Sequence, residues 1–311
     1  LTADEAAGLQ TLRLLLNTPH TVTGVITAPK NRSIHDLAVQ NNLPVYEASC
    51  LCQGHFAEQL RQDRVDILLN VHLLRIIHPE VVAAPRIGAF NLHPGPLPDY
   101  AGLNTPSWAI FQQEKEFGVT LHWMDPGIDT GPVAYRSSLS VRPRDTGLTL
   151  SVRCASAGLK LIAELIDELS KEHPQVPSEP QVPAHRRYYG KDDRPMGGYI
   201  DWHRPASVID ALMRSYTYAP YPSPWGYLKT IYNGETVEIG ALSALDQIAR
   251  SQPGRVEALG ERGVDVASED RLIRITACRL EGEEVAPSSL FDLDGQFTCP
   301  GVEIGLTGTG S

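Results

Sequence analysis

A chain of 311 residues, 42% hydrophobic and 21% charged, is long enough to bury more than one core and is expected to divide into two domains. Its 27 Lys and Arg stand against 37 Asp and Glu, a formal net charge of −10, with no basic run of the kind that tracks a phosphate backbone; nucleic acid is a poor partner. No apolar run approaches a membrane span, the start does not resemble a signal peptide, and the five cysteines are odd in number and scattered, so a reducing cytoplasm is expected.

Leu9, Leu12 and Leu16 have helical spacing, and the β-branched run Thr21 to Thr27 then reads as a strand. A helix is predicted over Ile34 to Gln40, a short extended stretch over Leu43 to Tyr46, and another helix around Phe56 and Leu60. Between them Cys50-Leu51-Cys52 is spaced too tightly for a zinc knuckle and no second pair follows, so free thiols and no metal are expected. Val65 to Val71 (VDILLNV) is almost wholly apolar, as a strand covered on both faces should be. Gly88 to Asn91 and Gly118 to Met124 are further buried strands, and Val133 to Val141 alternates like a strand near an edge. From Asp145 a long helix carries Leu159, Ile162, Ile166 and Leu169 on one face. The alternation predicts an α/β domain over residues 1–171: a Rossmann-like, open, mostly parallel sheet with helices on both faces.

Residues 172–205 are proline-rich and hold Arg186, Arg187, Tyr188, Tyr189 and Gly190, a composition that wraps over a surface and is read as the linker. Beyond it Ala206 to Tyr216 has helical spacing, and short strands recur between Gly and Pro turns up to Thr276. A small OB-like β barrel is expected over residues 206–300.

An α/β sheet of this kind normally opens with an apolar strand and a glycine turn, whereas this sequence opens on a helical pattern. Gly301 to Ser311 (GVEIGLTGTGS) reads as such a strand and turn. Joined to Leu1 it would give an ordinary first strand, turn and helix, so a circular permutation is expected, with 301–311 filling the first slot of the sheet.

The richest segment is Phe90-Asn91-Leu92-His93-Pro94-Gly95-Pro96-Leu97-Pro98, where a buried strand runs into a loop stiffened by prolines. Ligands of open α/β sheets bind at such carboxyl ends. Asn91 and His93 flank Leu92, so on an extended backbone both project to one side, an amide beside an imidazole. Met124-Asp125-Pro126-Gly127-Ile128-Asp129-Thr130-Gly131-Pro132 leaves another predicted strand, and its glycines permit a tight loop that brings the Asp129 carboxylate toward that imidazole.

The motifs NLHPGPLP, YAGLN and GVTLHWMDPGIDTG resemble those of the 10-formyltetrahydrofolate-dependent formyltransferases, and YYGKDDRPMGGYIDW is recognisable as the segment between the domains of that family. The resemblance implies a catalytic triad of Asn91, His93 and Asp129. An acceptor amine adds to the formyl carbon, Asn91 and protonated His93 stabilise the oxyanion, and Asp129 keeps His93 charged and assists proton transfer. No metal is required. It further implies that Leu74, Arg75, Ile76 and Ile77 line a pterin site closed by Met124, Asp125, Gly127 and Ile128. Arg75 faces either the glutamate tail of the folate or a surface partner. Pro94, Gly95, Asn104 and His122 are placed on the acceptor side.

Methionyl-tRNA transferases of the family usually carry a basic insertion after the second strand, but here Ala28-Pro29-Lys30-Asn31-Arg32-Ser33 passes straight into a helix. YAGLNTPSWAIFQQEKEFGVT is closest to formyltransferases of nonribosomal-peptide and specialised metabolism, whose acceptors are small amines or aminoacyl groups on a carrier protein. Alternatives are methionyl-tRNA as acceptor, and hydrolysis of formyltetrahydrofolate by the same triad. A dinucleotide-binding module suggested by Gly305, Gly308 and Gly310 lacks the acidic residue after the second strand that would hold a ribose. Single-stranded nucleic acid on the barrel would have the aromatics Tyr216, Tyr218, Tyr221 and Trp225 but little positive charge.

Overall fold

The computed structural model describes residues 1–300. The chain forms two compact units: Leu1–Pro106, Lys115–Ser140 and Ser151–Gly190 make up the first, and Ser107–Glu114, Val141–Leu150 and the chain from Lys191 onward the second. The expected linker is therefore divided, its proline-rich first part grouping with the first unit.

The elements of the first unit are, in order, β1 (Thr2–Ala3), α1 (Glu5–Leu16), β2 (Val25–Thr27), α2 (Arg32–Gln40), β3 (Val45–Glu47), α3 (Phe56–Gln62), β4 (Ile67–Val71), α4 (Pro79–Val82), β5 (Gly88–His93) and β6 (Ala101–Gly102). After α5 (Thr105–Phe111), most of which groups with the second unit, follow β7 (Glu116–Trp123), β8 (Val133–Ser140), the long α6 (Gly147–Leu169), whose first turn also groups with the second unit, and β9 (Tyr188–Tyr189). One sheet runs in the order β3-β2-β1-β4-β5-β7-β8. Strands β1 to β5 in it pair in parallel, while β7 and β8 are antiparallel to their neighbours.

Alternation along a strand sends successive side chains to opposite faces. Val25 joins a cluster with Leu12, Ile34 and Ala38 of α1 and α2, whereas Ile26 joins Phe56, Leu60 and Leu68 on the other face. Burial on both faces is what the apolar run of β4 requires, and Leu68, Leu69 and Val71 are all 2% exposed or less.

One expectation needs correction. The sequence does not open on a helix: Thr2–Ala3 forms a strand between β2 and β4, too short for periodicity to show. Helix α5 was not anticipated. The circular permutation and the glycines Gly305, Gly308 and Gly310 fall on 301–311, outside the described residues.

In the second unit α7 (Ala206–Tyr216) is followed by β10 (Leu228–Tyr232), β11 (Glu235–Ile248), β12 (Val256–Gly260), β13 (Gly263–Ala267), β14 (Arg271–Leu280), β15 (Glu283–Val285), α8 (Pro287–Leu290) and β16 (Phe297–Thr298). The sheet is antiparallel, in the order β12-β13-β14-β11-β10-β16 with β15 on β14. Main-chain bonds from Val256 to Gly295 and from Phe297 to Gly254 bring its two edges together at one end. The apolar face of α7, Ile209, Leu212 and Tyr216, packs with Leu228, Ile239 and Ile273 of the sheet.

Candidate active site

Sheet register builds the site. Thr2 on β1 lies opposite Asn70 on β4, Asn70 opposite Asn91 on β5, and Asn91 opposite His122 on β7. Residues in one register row share a face, so four polar side chains form a line across the sheet. Hydrogen bonds run along it in one direction. The Thr2 hydroxyl donates to Asn70 Oδ1, Asn70 Nδ2 to Asn91 Oδ1 at 2.8 Å, and Asn91 Nδ2 to His122 Nε2 at 3.0 Å. His122 Nδ1 donates to the Trp123 carbonyl at 2.7 Å, which fixes the ring's tautomer and leaves Nε2 as the acceptor. Each amide orientation is thereby set by its neighbour, and the Asn91 NH2 is aimed away from β4.

Asp129 comes to this line from the loop after β7. The loop is tight: Asp125 Oδ1 accepts from the Gly127 amide and the Thr130 hydroxyl, and a Cβ on Gly131 would fall 1.9 Å from the Trp123 carbonyl oxygen. Asp129 itself has φ of +53°, in the left-handed region. Its Oδ1 lies 3.4 Å from Asn91 Nδ2 and 3.5 Å from His122 Nε2, and its Oδ2 lies 3.5 Å from His93 Nδ1. Oδ2 also accepts the Gly102 amide at 2.8 Å. Burial alone would raise this carboxyl, but the positive charge that the His93 and His122 rings carry when protonated, together with the Gly102 N–H, outweighs it and holds the carboxyl well below the usual carboxylate range.

His93, 4% exposed, donates from Nε2 to the Tyr100 carbonyl at 2.5 Å. Gly95 makes this approach feasible, since a Cβ there would meet the Tyr100 oxygen at 2.6 Å and His93 Nε2 at 2.8 Å. Burial pushes the imidazole pKa below its ordinary value, and the opposing pull of Asp129 and the Tyr100 carbonyl does not restore it. Desolvation thus outweighs the carboxylate in setting the ring's affinity for a proton.

The structure brings Asn91, His93 and Asp129 together, and His122, whose alternation fitted either a site-facing or a packed residue, lies against Asn91 and Asp129. Asn70 and Thr2 were missed; a lone amide inside the apolar run VDILLNV was the available signal for the first. Around this centre Leu74, Ile76 and Ile128 are 75%, 78% and 47% exposed, and Arg75 is exposed. Ile77 instead is buried in the core cluster against which Met124 packs. Pro94 offers its carbonyl to the Thr105 hydroxyl at 2.7 Å, and Asn104 has φ of +55°. The cysteines are all free thiols, no group of three or more His, Cys, Asp or Glu suited to a metal occurs among the described residues, and no helix there is long and apolar enough to cross a membrane.

A mostly parallel sheet with a buried imidazole beside a partly buried amide and carboxylate, followed by an antiparallel sheet unit, is an arrangement suited to group-transfer chemistry. Residues 5–166 match the formyl transferase family and residues 194–292 the formyl transferase C-terminal domain; the chain belongs to the formyltransferases, enzymes that use formyl-folate. It is 28% identical to a methionyl-tRNA formyltransferase of Idiomarina loihiensis, over 97% of this chain and 98% of that protein. With the methionyl-tRNA formyltransferase of Xylella fastidiosa the identity is 32%, over 79% of this chain and 77% of that one. The crystal structure of an N-formyltransferase from Helicobacter canadensis, in complex with folinic acid and dTDP-3-aminofucose, shares the fold with a TM-score of 0.67 at 19% identity, covering 88% of this chain and 97% of that one.

Proposed function

We propose that this chain transfers the formyl group of 10-formyltetrahydrofolate to the amine of a small molecule or of an aminoacyl group tethered to a carrier protein. The observation that carries this reading is the convergence of Asn91 and His93 on the Asp129 carboxylate, backed by Asn70 and His122. The exposed apolar side chains Leu74, Ile76 and Ile128 fit a flat heterocycle, whose binding would cover them. With Arg75, Ile77, Met124, Asp125 and Gly127 they would hold the donor, which supplies a carbonyl carbon bonded to a leaving nitrogen.

In this mechanism Asn91 Nδ2 gives up its long 3.4 Å contact to Asp129 and donates to the formyl oxygen as negative charge develops there. Neutral His93 takes the proton of the attacking amine at Nδ1, its one unprotonated nitrogen, by way of the Asp129 carboxylate that faces it, and the resulting imidazolium is held by Asp129 at Nδ1 and by the Tyr100 carbonyl at Nε2. That proton passes to the nitrogen that leaves, so one N–H is lost by the acceptor and one gained by the released folate. Pro94, Gly95, Asn104 and His122 stand on the acceptor side.

The acidic balance and the short connection between β2 and α2, which has no basic insertion, favour a small or tethered amine over tRNA. A second reading, methionyl-tRNA as acceptor, is supported by the full-length likeness to methionyl-tRNA formyltransferases. Tetrahydrofolate release from 10-formyltetrahydrofolate, measured with free amines, aminoacyl carrier proteins and methionyl-tRNA, separates them. The expected result is stimulation by one of the first two classes. Stimulation by methionyl-tRNA alone supports the second reading, and formate release that no acceptor changes makes the protein a hydrolase.

A further inference from the structure

The segment 177–189, proline-rich and read from sequence as part of a linker, lies as a strap along two loops of the site. On one side the Pro177 carbonyl accepts from Trp123 Nε1 at 2.7 Å, Glu179 bridges to Val133 through paired main-chain bonds, and its carboxylate holds Arg136 at 3.0 Å. On the other, β9 pairs with β6, so that Arg187 and Tyr189 carbonyls accept from Ala101 and Leu103. Between these anchors two side chains reach the main chain of the Asp129 loop. Gln181 Nε2 donates to the carbonyls of Asp129 at 3.0 Å and Gly131 at 2.7 Å, and the Arg186 guanidinium donates to those of Ile128 at 2.8 Å and Asp129 at 3.4 Å. Arg186 is itself steadied over the Tyr188 ring, 5.4 Å from its centroid.

We propose that Gln181 and Arg186 are positioning residues for formyl transfer, which hold the Asp129 main chain in its left-handed conformation and so keep the carboxylate against His93. This rests on the role given above to Asp129. A left-handed backbone at a residue other than glycine persists only where its surroundings over-determine it. Here four hydrogen bonds from two side chains do so at three successive or near-successive carbonyls. The same strap fixes the Asp129 carboxylate from the other end, because Gly102, whose amide donates to Oδ2, lies in β6. One segment thus sets both the main chain and the side chain of the residue. Neither Gln181 nor Arg186 is deeply buried, so neither is needed for a core.

Gln181→Met keeps the length of the side chain and removes both donors. Its kcat for formyl transfer is expected to fall, by up to about 10²-fold with Arg186→Met added, while KM for 10-formyltetrahydrofolate and the melting temperature change little. The groups that bear on His93 are Asp129, His122, His72 and the Tyr100 carbonyl; of these the Gln181 and Arg186 side chains hold only the Asp129 loop, while the strap's main chain at Arg187 holds the Tyr100–Ala101 peptide independently of that loop. Loosening it withdraws the carboxylate that favours the imidazolium, so the acidic limb of the pH–rate profile of Gln181→Met moves to lower pH. Arg186→Lys, with charge but no fork, retains more activity than Arg186→Met. Wild-type kcat and pH profile in Gln181→Met, with Asp129→Asn inactive, overturn the proposal and leave the mechanism standing. A loss of kcat matched by a falling melting temperature and an unmoved pH limb also overturns it, as a general structural effect. An active Asp129→Asn removes the mechanism itself.

Discussion

Asp129→Asn is expected to lower the rate of formyl transfer by about 10²- to 10⁴-fold, the range for losing a general acid–base partner, with little change in donor affinity. The substitution keeps an oxygen for the Gly102 N–H and the size of the side chain, so the loop has no steric reason to move. What it removes is the negative charge 3.5 Å from His93 Nδ1. That charge raises the affinity of the ring for a proton against the larger effect of burial. Without it the pKa of His93 falls further. Since neutral His93 is the form that accepts the amine's proton, the acidic limb of kcat/KM moves to lower pH as the maximum drops. A steady-state profile of both proteins checks this, and a wild-type maximum or a limb moved to higher pH contradicts the roles assigned.

Gly102→Ala should be nearly as damaging, for a reason with no side-chain chemistry in it. Gly102 has φ of +92°, and a Cβ there would lie 2.2 Å from the Tyr189 carbonyl oxygen. Alanine must therefore strain the backbone and push β6 from β9, withdrawing the amide from Asp129 Oδ2. Strain of this kind costs about 1–3 kcal/mol, and a displacement of about 1 Å at the site costs up to about 10²-fold in rate. Gly282→Ala is the matched control, because Gly282 has φ of +86° with nothing within 4 Å of the added carbon. It should share some of the loss of stability and none of the loss of activity. Thermal unfolding and kcat/KM, measured side by side, separate the two effects.

These two variants mark where sequence was informative and where it was not. Asn91, His93 and Asp129 were legible because each sits where a buried strand passes into a proline- or glycine-rich loop, and because alternation put Asn91 and His93 on one side. The Tyr100 carbonyl, the Gly102 amide and the carbonyls of Ile128 and Gly131 were not, since main-chain groups carry no residue identity. Proline-rich 172–205 read as a linker because composition shows the absence of a core and not what a segment hydrogen-bonds to. A two-residue strand such as Thr2–Ala3 is shorter than any period, and buried strands such as β5 and β7 look alike whichever way they run. A neighbouring carboxylate can be guessed from a motif, but the depth of burial that opposes its effect on the His93 ring is a property of the fold.

The most direct test of the central claim follows the carbon. With 10-formyltetrahydrofolate labelled with carbon-13 in the formyl group, the accepted amine should acquire a labelled formamide in the presence of the wild-type protein, with stoichiometric release of tetrahydrofolate. His93→Ala should yield neither above the uncatalysed rate. Label appearing in the formamide at an unchanged rate with His93→Ala, or only in formate with the wild type, would contradict a transferase built on Asn91, His93 and Asp129.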